Sequence, residues 1–227
     1  MAVVYLVRHG QASFGSADYD VLSERGQEQS HVLGRELARR GLRPDRVLTG
    51  TMKRQQDTVR YALETAGLPP DVEVDGRFDE YDHLALLSHH VAENRASLFV
   101  GAMTAGRART VQRALDGALA RWIEAGECAE CERPWPRFDA EIAAALDGLL
   151  ARLGSGGVGL VVTSGGVVAA TVARLLGLSA DGFVTVNRVV ANGSLTKVVH
   201  GRSGTSLLSF NDHGHFEGDA RDLLTYR

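Results

Sequence analysis

The chain has 227 residues, 44% hydrophobic and 23% charged, the composition of a single soluble globular domain. A formal net charge of −3 excludes the basic footprint of a general nucleic-acid binder. No apolar run approaches the ~20 residues that span a bilayer, and no basic region precedes the first apolar run, so no membrane partner and a cytoplasmic location are expected.

Residues 3–8, Val-Val-Tyr-Leu-Val-Arg, read as a strand buried on both faces that ends on Arg8, His9 and Gly10. Ligands of open α/β sheets bind beyond the carboxyl ends of the strands, so this strand delivers a guanidinium and an imidazole to a crevice. Arginine suits bidentate recognition of phosphate, and an imidazole beside it can attack phosphorus or bind its oxygens. A Gly/Ser/Asp-rich loop covers 10–22, and Ser23 then caps a helix that runs to about Arg40 and stops at Gly41. Residues 46–49 form a short second strand, and Thr51 opens a helix ending near Gly67. A short strand within 72–78 leads to Asp79-Glu80-Tyr81-Asp82.

Residues 83–126 read as mostly helical and interrupt the alternation, giving a cap insertion over about 83–135 within one domain, 1–227. A helix over about 137–153 and a buried strand over 158–163 follow. Ser164-Gly165-Gly166 turns into a helix ending near Gly177, and 194–200 with 205–210 form a terminal hairpin. The alternation predicts a three-layer α/β/α domain with a mainly parallel sheet.

Several polar residues have plain structural readings. Cys128 and Cys131 are the only cysteines, too few for a four-cysteine zinc site, and read as loop residues; no metal and no cofactor are expected. His89-His90 reads as a surface pair and His31 as structural, while His83, close to Glu80, stays open. Ser164 lacks a Gly-x-Ser-x-Gly elbow and reads as a tight-turn residue rather than a nucleophile.

In their order, the strand ending in Arg8-His9-Gly10, the short strand running into Arg54, the acidic Glu80 and the late strand with its glycine turn resemble the histidine phosphatase superfamily. The resemblance covers nearly the whole chain and implies a phosphoglycerate mutase-like fold. It implies that His9 takes the phosphoryl group and that Arg8 and Arg54, the latter in Thr51-Met52-Lys53-Arg54-Gln55-Gln56-Asp57-Thr58, hold its oxygens. Glu80, in Phe78-Asp79-Glu80-Tyr81, then protonates the leaving oxygen. Phosphoryl transfer rests on positioning and cationic stabilisation, which two arginines supply. His9 has to be neutral, a form the arginines favour, and Glu80 has to be protonated, which Asp79 and Asp82 would promote by sharing its space.

Two positions depart from the family pattern. Ser164 stands where the family usually carries a second histidine in a His-Gly motif, as in a subgroup with serine there. Gly15 stands where many members carry a phosphate-binding asparagine. Gln11, Ser13 and Ser164 are expected to contact phosphate, and His213 or His215 to return an imidazole to the pocket. The implied activity is metal-independent hydrolysis of a small anionic phosphomonoester through phosphohistidine. The alternatives are mutase-type transfer and a phosphate-ligand-binding or regulatory protein with an impaired site. Arg95, Arg107, Arg109 and Arg113 of the cap would suit an anionic substrate where they face inward. Oligomeric state is not legible.

Overall fold

A computed structural model describes residues 1–13, 20–88, 107–127 and 133–226, with the backbone alone over 107–111. β1 (Ala2–Arg8) alternates between two hydrophobic clusters, with Ala2, Val4 and Leu6 on one side and Val7 on the other. α1 (Glu24–Arg39) begins at Ser23, whose side chain accepts a hydrogen bond from the Gly26 N–H. β2 (Arg46–Thr49) leads to α2 (Lys53–Ala66), which ends on a left-handed Gly67. The helix starts two residues beyond Thr51, because the Asp79 carboxylate takes both the N–H and the hydroxyl of Thr51, at 2.6 and 2.5 Å.

β3 (Glu73–Val74) is followed by a 3-10 turn over Gly76–Phe78. α3 (residues 83–88) is capped by Asp82, whose Oδ1 accepts from the N–H groups of Leu84 and Ala85. α4 (Arg107–Ala125) and α5 (Trp135–Leu153) come next, and Pro136 sits in the first turn of α5, where its missing N–H costs nothing. β4 (Val158–Thr163) feeds α6 (Gly165–Leu176) through Ser164. α7 (Ala180–Val189) is a helix that sequence reading missed; Phe183 and Val184 alone of its residues are fully buried, which leaves a thin apolar signal. β5 (Leu195–Gly201) and β6 (Gly204–Asp212) form the terminal hairpin, and short 3-10 turns follow it.

Among the described residues the sheet has six strands in the order β3-β2-β4-β1-β5-β6. The β3-β2, β2-β4 and β4-β1 pairs are parallel, and the β1-β5 and β5-β6 pairs antiparallel. α1 and α2 cover one face through Leu33, Leu37, Val59 and Leu63, packed on Val7, Val47, Leu160 and Val162. α5 and α6 cover the other through Phe138, Leu149 and Val168, packed on Val4, Leu6 and Val161. The fold is therefore the expected three-layer α/β/α arrangement, and the parallel strands β1, β2 and β4 end at one edge.

Trp122 of α4 meets Tyr81 and Phe138 at ring separations of 5.3 Å each, so α4 is part of the core on that face. Within 83–135, His89, His90, Arg95, Cys128 and Cys131 lie outside the described residues, as do the side chains of Arg107 and Arg109 and, earlier in the chain, Gly15. Arg113 is exposed.

α1 and α2 touch most closely at Gly34, where a Cβ would stand 2.5 Å from the Ala62 carbonyl oxygen and 2.6 Å from Thr65 Cβ. Helix propensity alone favours Gly34→Ala by about 1 kcal/mol. The packing predicts the opposite sign: a destabilisation of about 1–3 kcal/mol, seen as a Tm lower by several degrees. A Tm at or above that of the parent chain would show that the two helices separate freely.

Candidate active site

His9 is the first residue beyond β1. Its N–H donates to the Thr163 carbonyl at the end of β4 (2.8 Å), and its carbonyl accepts from Asn192 Nδ2 (2.9 Å). The ring is buried, with Nδ1 2.6 Å from the Gly10 carbonyl oxygen. A carbonyl only accepts, so Nδ1 carries the hydrogen and Nε2 keeps its lone pair. Arg54 Nε donates to that Nε2 at 3.1 Å. Burial first, then the charges of Arg54 and Arg8, hold the imidazole well below its usual pKa of 6.5, against the pull of the Gly10 carbonyl.

Arg54 lies in the first turn of α2 and is itself buried. Its Nη1 meets Asp20 Oδ1 at 2.6 Å, while Asp20 Oδ2 accepts the Lys53 N–H at 2.8 Å. Thr58, one helical turn on, donates to the Arg54 carbonyl (2.7 Å) and accepts the Gly10 N–H (3.0 Å), which ties α2 to the turn after β1. Arg8 directs Nη1 at the carbonyls of Val190 and Tyr226, the latter at 2.8 Å. Its Nε lies beside Gly165, where a Cβ would approach it to 3.3 Å.

Glu80 Oε2 accepts the Gly166 N–H at the start of α6 (3.0 Å). Withdrawal from water raises its pKa above the usual carboxyl value, against the Gly166 bond and the charges of Arg54 and Arg8. The expected cause was different. Asp79 binds Thr51 and Asp82 caps α3, so neither carboxylate shares the Glu80 site, and desolvation does what like-charge repulsion was expected to do. The carboxyl fits only because residue 166 has no side chain: a Cβ there would lie 2.2 Å from Glu80 Oε1 and 2.4 Å from Tyr81 Cε1.

Ser164 is fully buried at the end of β4, next to Thr163, the register partner of Arg8. Its Oγ accepts from Gln55 Nε2 at 2.8 Å. Gln11 turns its side-chain carbonyl to Ser23 Oγ (3.2 Å), and Ser13 pairs its N–H with the Val21 carbonyl (2.8 Å). His83 is partly buried and feels the Arg54 charge; burial, then that charge, lowers its pKa.

The two late histidines do not join the His9 cluster, contrary to expectation. His213 Nδ1 pairs with the Asn211 carbonyl at 2.5 Å, and its ring faces Tyr226. His215 Nε2 pairs with the Gly193 carbonyl at 3.1 Å, and its ring opens on a cavity with Val32, Glu36 and Arg39 of α1.

Asp20, Gln55, Thr58 and Asn192 belong to this cluster and were not singled out from sequence. Thr58 carried a usable signal, since its i+4 spacing from Arg54 puts both on one face of α2. The other three bond across the fold, where no local pattern reaches.

The family profile of the histidine phosphatase superfamily (branch 1) matches residues 4–213, and the chain belongs to this family. A curated relative, the 2,3-bisphosphoglycerate-dependent phosphoglycerate mutase of Thermobifida fusca (strain YX), is 38% identical over 104 residues. That match spans 42% of this chain and 42% of the relative, so the chain aligns with about two-fifths of the relative's length. The crystal structure of phosphoglycerate mutase from Bacillus anthracis str. Sterne superposes with a TM-score of 0.65 at 19% identity, over 94% of each chain. Phosphoserine phosphatase from Entamoeba histolytica, solved with 3-phosphoglyceric acid, gives 0.64 at 15% identity over 95% of this chain and 99% of that one. At such identities the superpositions establish the fold.

No helix among the described residues is long and apolar enough to cross a membrane.

Gly166→Ala is expected to push the Glu80 carboxyl off the first turn of α6 while leaving His9 in place. A displacement of about 1 Å costs on the order of 10²-fold in rate, so turnover of phosphate esters should fall by that factor with the far-ultraviolet dichroism unchanged. An unimpaired Gly166→Ala variant would show that Glu80 has no fixed place in the reaction.

Proposed function

We propose that the chain hydrolyses small anionic phosphomonoesters through a phosphohistidine formed on Nε2 of His9, with neither metal nor cofactor. The observation that carries this reading is the His9 ring: its proton is parked on Nδ1, and its Nε2 lone pair faces a buried guanidinium. Nε2 attacks phosphorus, the bond to the ester oxygen breaks, and that oxygen takes the proton of Glu80. Water then attacks the phosphorus and gives a proton to Glu80, the P–N bond breaks, and inorganic phosphate leaves. Arg54 and Arg8 bind the equatorial oxygens, where charge accumulates. Residues 83–135 act as the cap that selects the leaving group.

The similarity to a phosphoglycerate mutase favours a second reading, in which a phosphorylated sugar acid receives the group in place of water. Incubation with a 32P-labelled ester, stopped with alkaline detergent, separates the readings. The expected result is release of labelled phosphate, undiminished by a chelator, with a base-stable, acid-labile label on the chain that His9→Ala abolishes. Label moving to a second hydroxyl of the substrate would establish the mutase. Full hydrolysis by His9→Ala would reject both.

Glu80 gives a second test. Its folded pKa is raised, so the protonated form persists above the ordinary carboxyl range and is lost as pH rises through that folded value. His9, with a lowered pKa, stays neutral below the ordinary imidazole range and charges only as pH falls further. The rate should therefore be highest on the acid side of neutrality and fall as pH rises. Glu80→Gln should slow alkyl phosphates by about 10²–10⁴-fold and aryl phosphates far less, with the alkaline fall abolished. Equal slowing of both ester classes would assign Glu80 a structural role.

A further inference from the structure

We propose that Gln55 is a positioning residue for the phosphoryl oxygens, acting through Ser164. This rests on reading the His9 pocket as a phosphate site. Gln55 is fully buried on α2, one residue beyond Arg54. Its Nε2 donates to the Phe78 carbonyl at 3.1 Å and to Ser164 Oγ at 2.8 Å. The Phe78 carbonyl can only accept, which fixes the amide: the opposite orientation would set two carbonyl oxygens against each other.

The hydroxyl of Ser164 is thereby committed as an acceptor towards Gln55, and its own hydrogen has to point elsewhere. The Phe78 carbonyl does not take that hydrogen, because Thr163 Oγ1 donates to it at 2.6 Å and Gln55 fills its remaining lone pair. Among the described residues no acceptor takes the Ser164 proton. A buried donor without a partner is costly, and such groups recur where a ligand completes them.

The position of Ser164 names the ligand. The preceding carbonyl, that of Thr163, binds the N–H of His9; the following residue, Gly165, abuts Arg8; and Gly166 binds Glu80. An oxyanion held by Arg54 and Arg8 against His9 Nε2 is the acceptor that this hydroxyl lacks. Gln55 makes the serine a donor of fixed direction. The device carries no charge, so oxyanion binding gains no titrating cation from this position.

Calorimetric binding of sulfate to the whole chain tests this. Sulfate stays a dianion over the pH range used, and binding requires no turnover. Ser164→Ala and Gln55→Met should each weaken sulfate by about tenfold. The double variant should be no weaker than Ser164→Ala alone, because Gln55 acts only through the hydroxyl. Glu80 already weakens sulfate in the parent chain as it loses its proton; Ser164→His with Gln55→Ala should steepen that fall between pH 6 and pH 8 by about tenfold. Additive losses in the double variant, or full affinity in Gln55→Met, would overturn the proposal and leave Gln55 a packing residue. Should Gln55→Met not fold, Gln55→Leu takes its place in the same comparison, and undiminished affinity in Ser164→Ala removes the donor and the proposal with it. A parent chain that binds no sulfate, or binds it equally well as Arg54→Ala, would instead reject the phosphate reading of the pocket.

Discussion

The site depends on one contact, that of His9 Nδ1 with the carbonyl of the next residue, Gly10. It decides which ring nitrogen holds the proton, and so which one can act as nucleophile. The contact exists only if the chain leaves β1 at His9 along one path. The Thr163 carbonyl, the Asn192 amide and the Thr58 hydroxyl fix that path by bonding the backbone on both sides of the ring. The parallel register of β1 and β4, Arg8 opposite Thr163, is thus what aims the imidazole. A strand pairing that serves stability in the rest of the sheet serves tautomer selection at its end.

Burial and charge do not act alike on the two groups that exchange protons and phosphoryl in the proposed reaction. Both need their neutral forms. Withdrawal from water favours the neutral form of each and is the largest influence on each. The arginines help with His9 and oppose with Glu80, since a cation favours a carboxylate. Desolvation therefore decides the matter for Glu80, and the close fit of Gly166 against its carboxyl is part of that desolvation. If water had free access, the arginines would ionise the acid while still sparing the base. The closeness of the packing around Glu80 is in this sense a chemical requirement.

What was legible in the sequence was local. The continuous apolar run of β1, the Ser23 cap, the glycine stops at Gly67 and Gly177 and the terminal hairpin each announce themselves within a few residues. Arg8 and His9 could be read because they end a strand; Arg54 and Glu80 needed the family likeness to stand out from neighbouring charges. Nearness along the chain misled for Asp79 and Asp82, whose carboxylates each serve the start of a helix and so turn from Glu80. It misled again for His213 and His215, whose rings pair with the backbone carbonyls of Asn211 and Gly193. The Gln55–Ser164 bond joins residues 109 positions apart, and a pattern read in windows of a few turns has no access to it.

Among the contacts described, the two arginines meet chemically different partners. Arg54 is held by a carboxylate, Asp20, whose own second oxygen is engaged by the N–H of Lys53. Arg8 makes two of its contacts with the neutral carbonyls of Val190 and Tyr226. A carbonyl orients a guanidinium and costs it none of its charge, whereas a carboxylate offsets that charge and competes with an incoming anion for the same donors. Neighbours of the residues that supply the carbonyls are tied back to His9: Asn192 exchanges hydrogen bonds with Thr225 and passes one to the His9 carbonyl, and Gln29 binds Leu223 and Thr225. A segment outside the α/β alternation thereby sets the direction of one guanidinium and the backbone of the imidazole together. Displacing it would disturb both at once, even though it contributes no side chain to the reacting atoms.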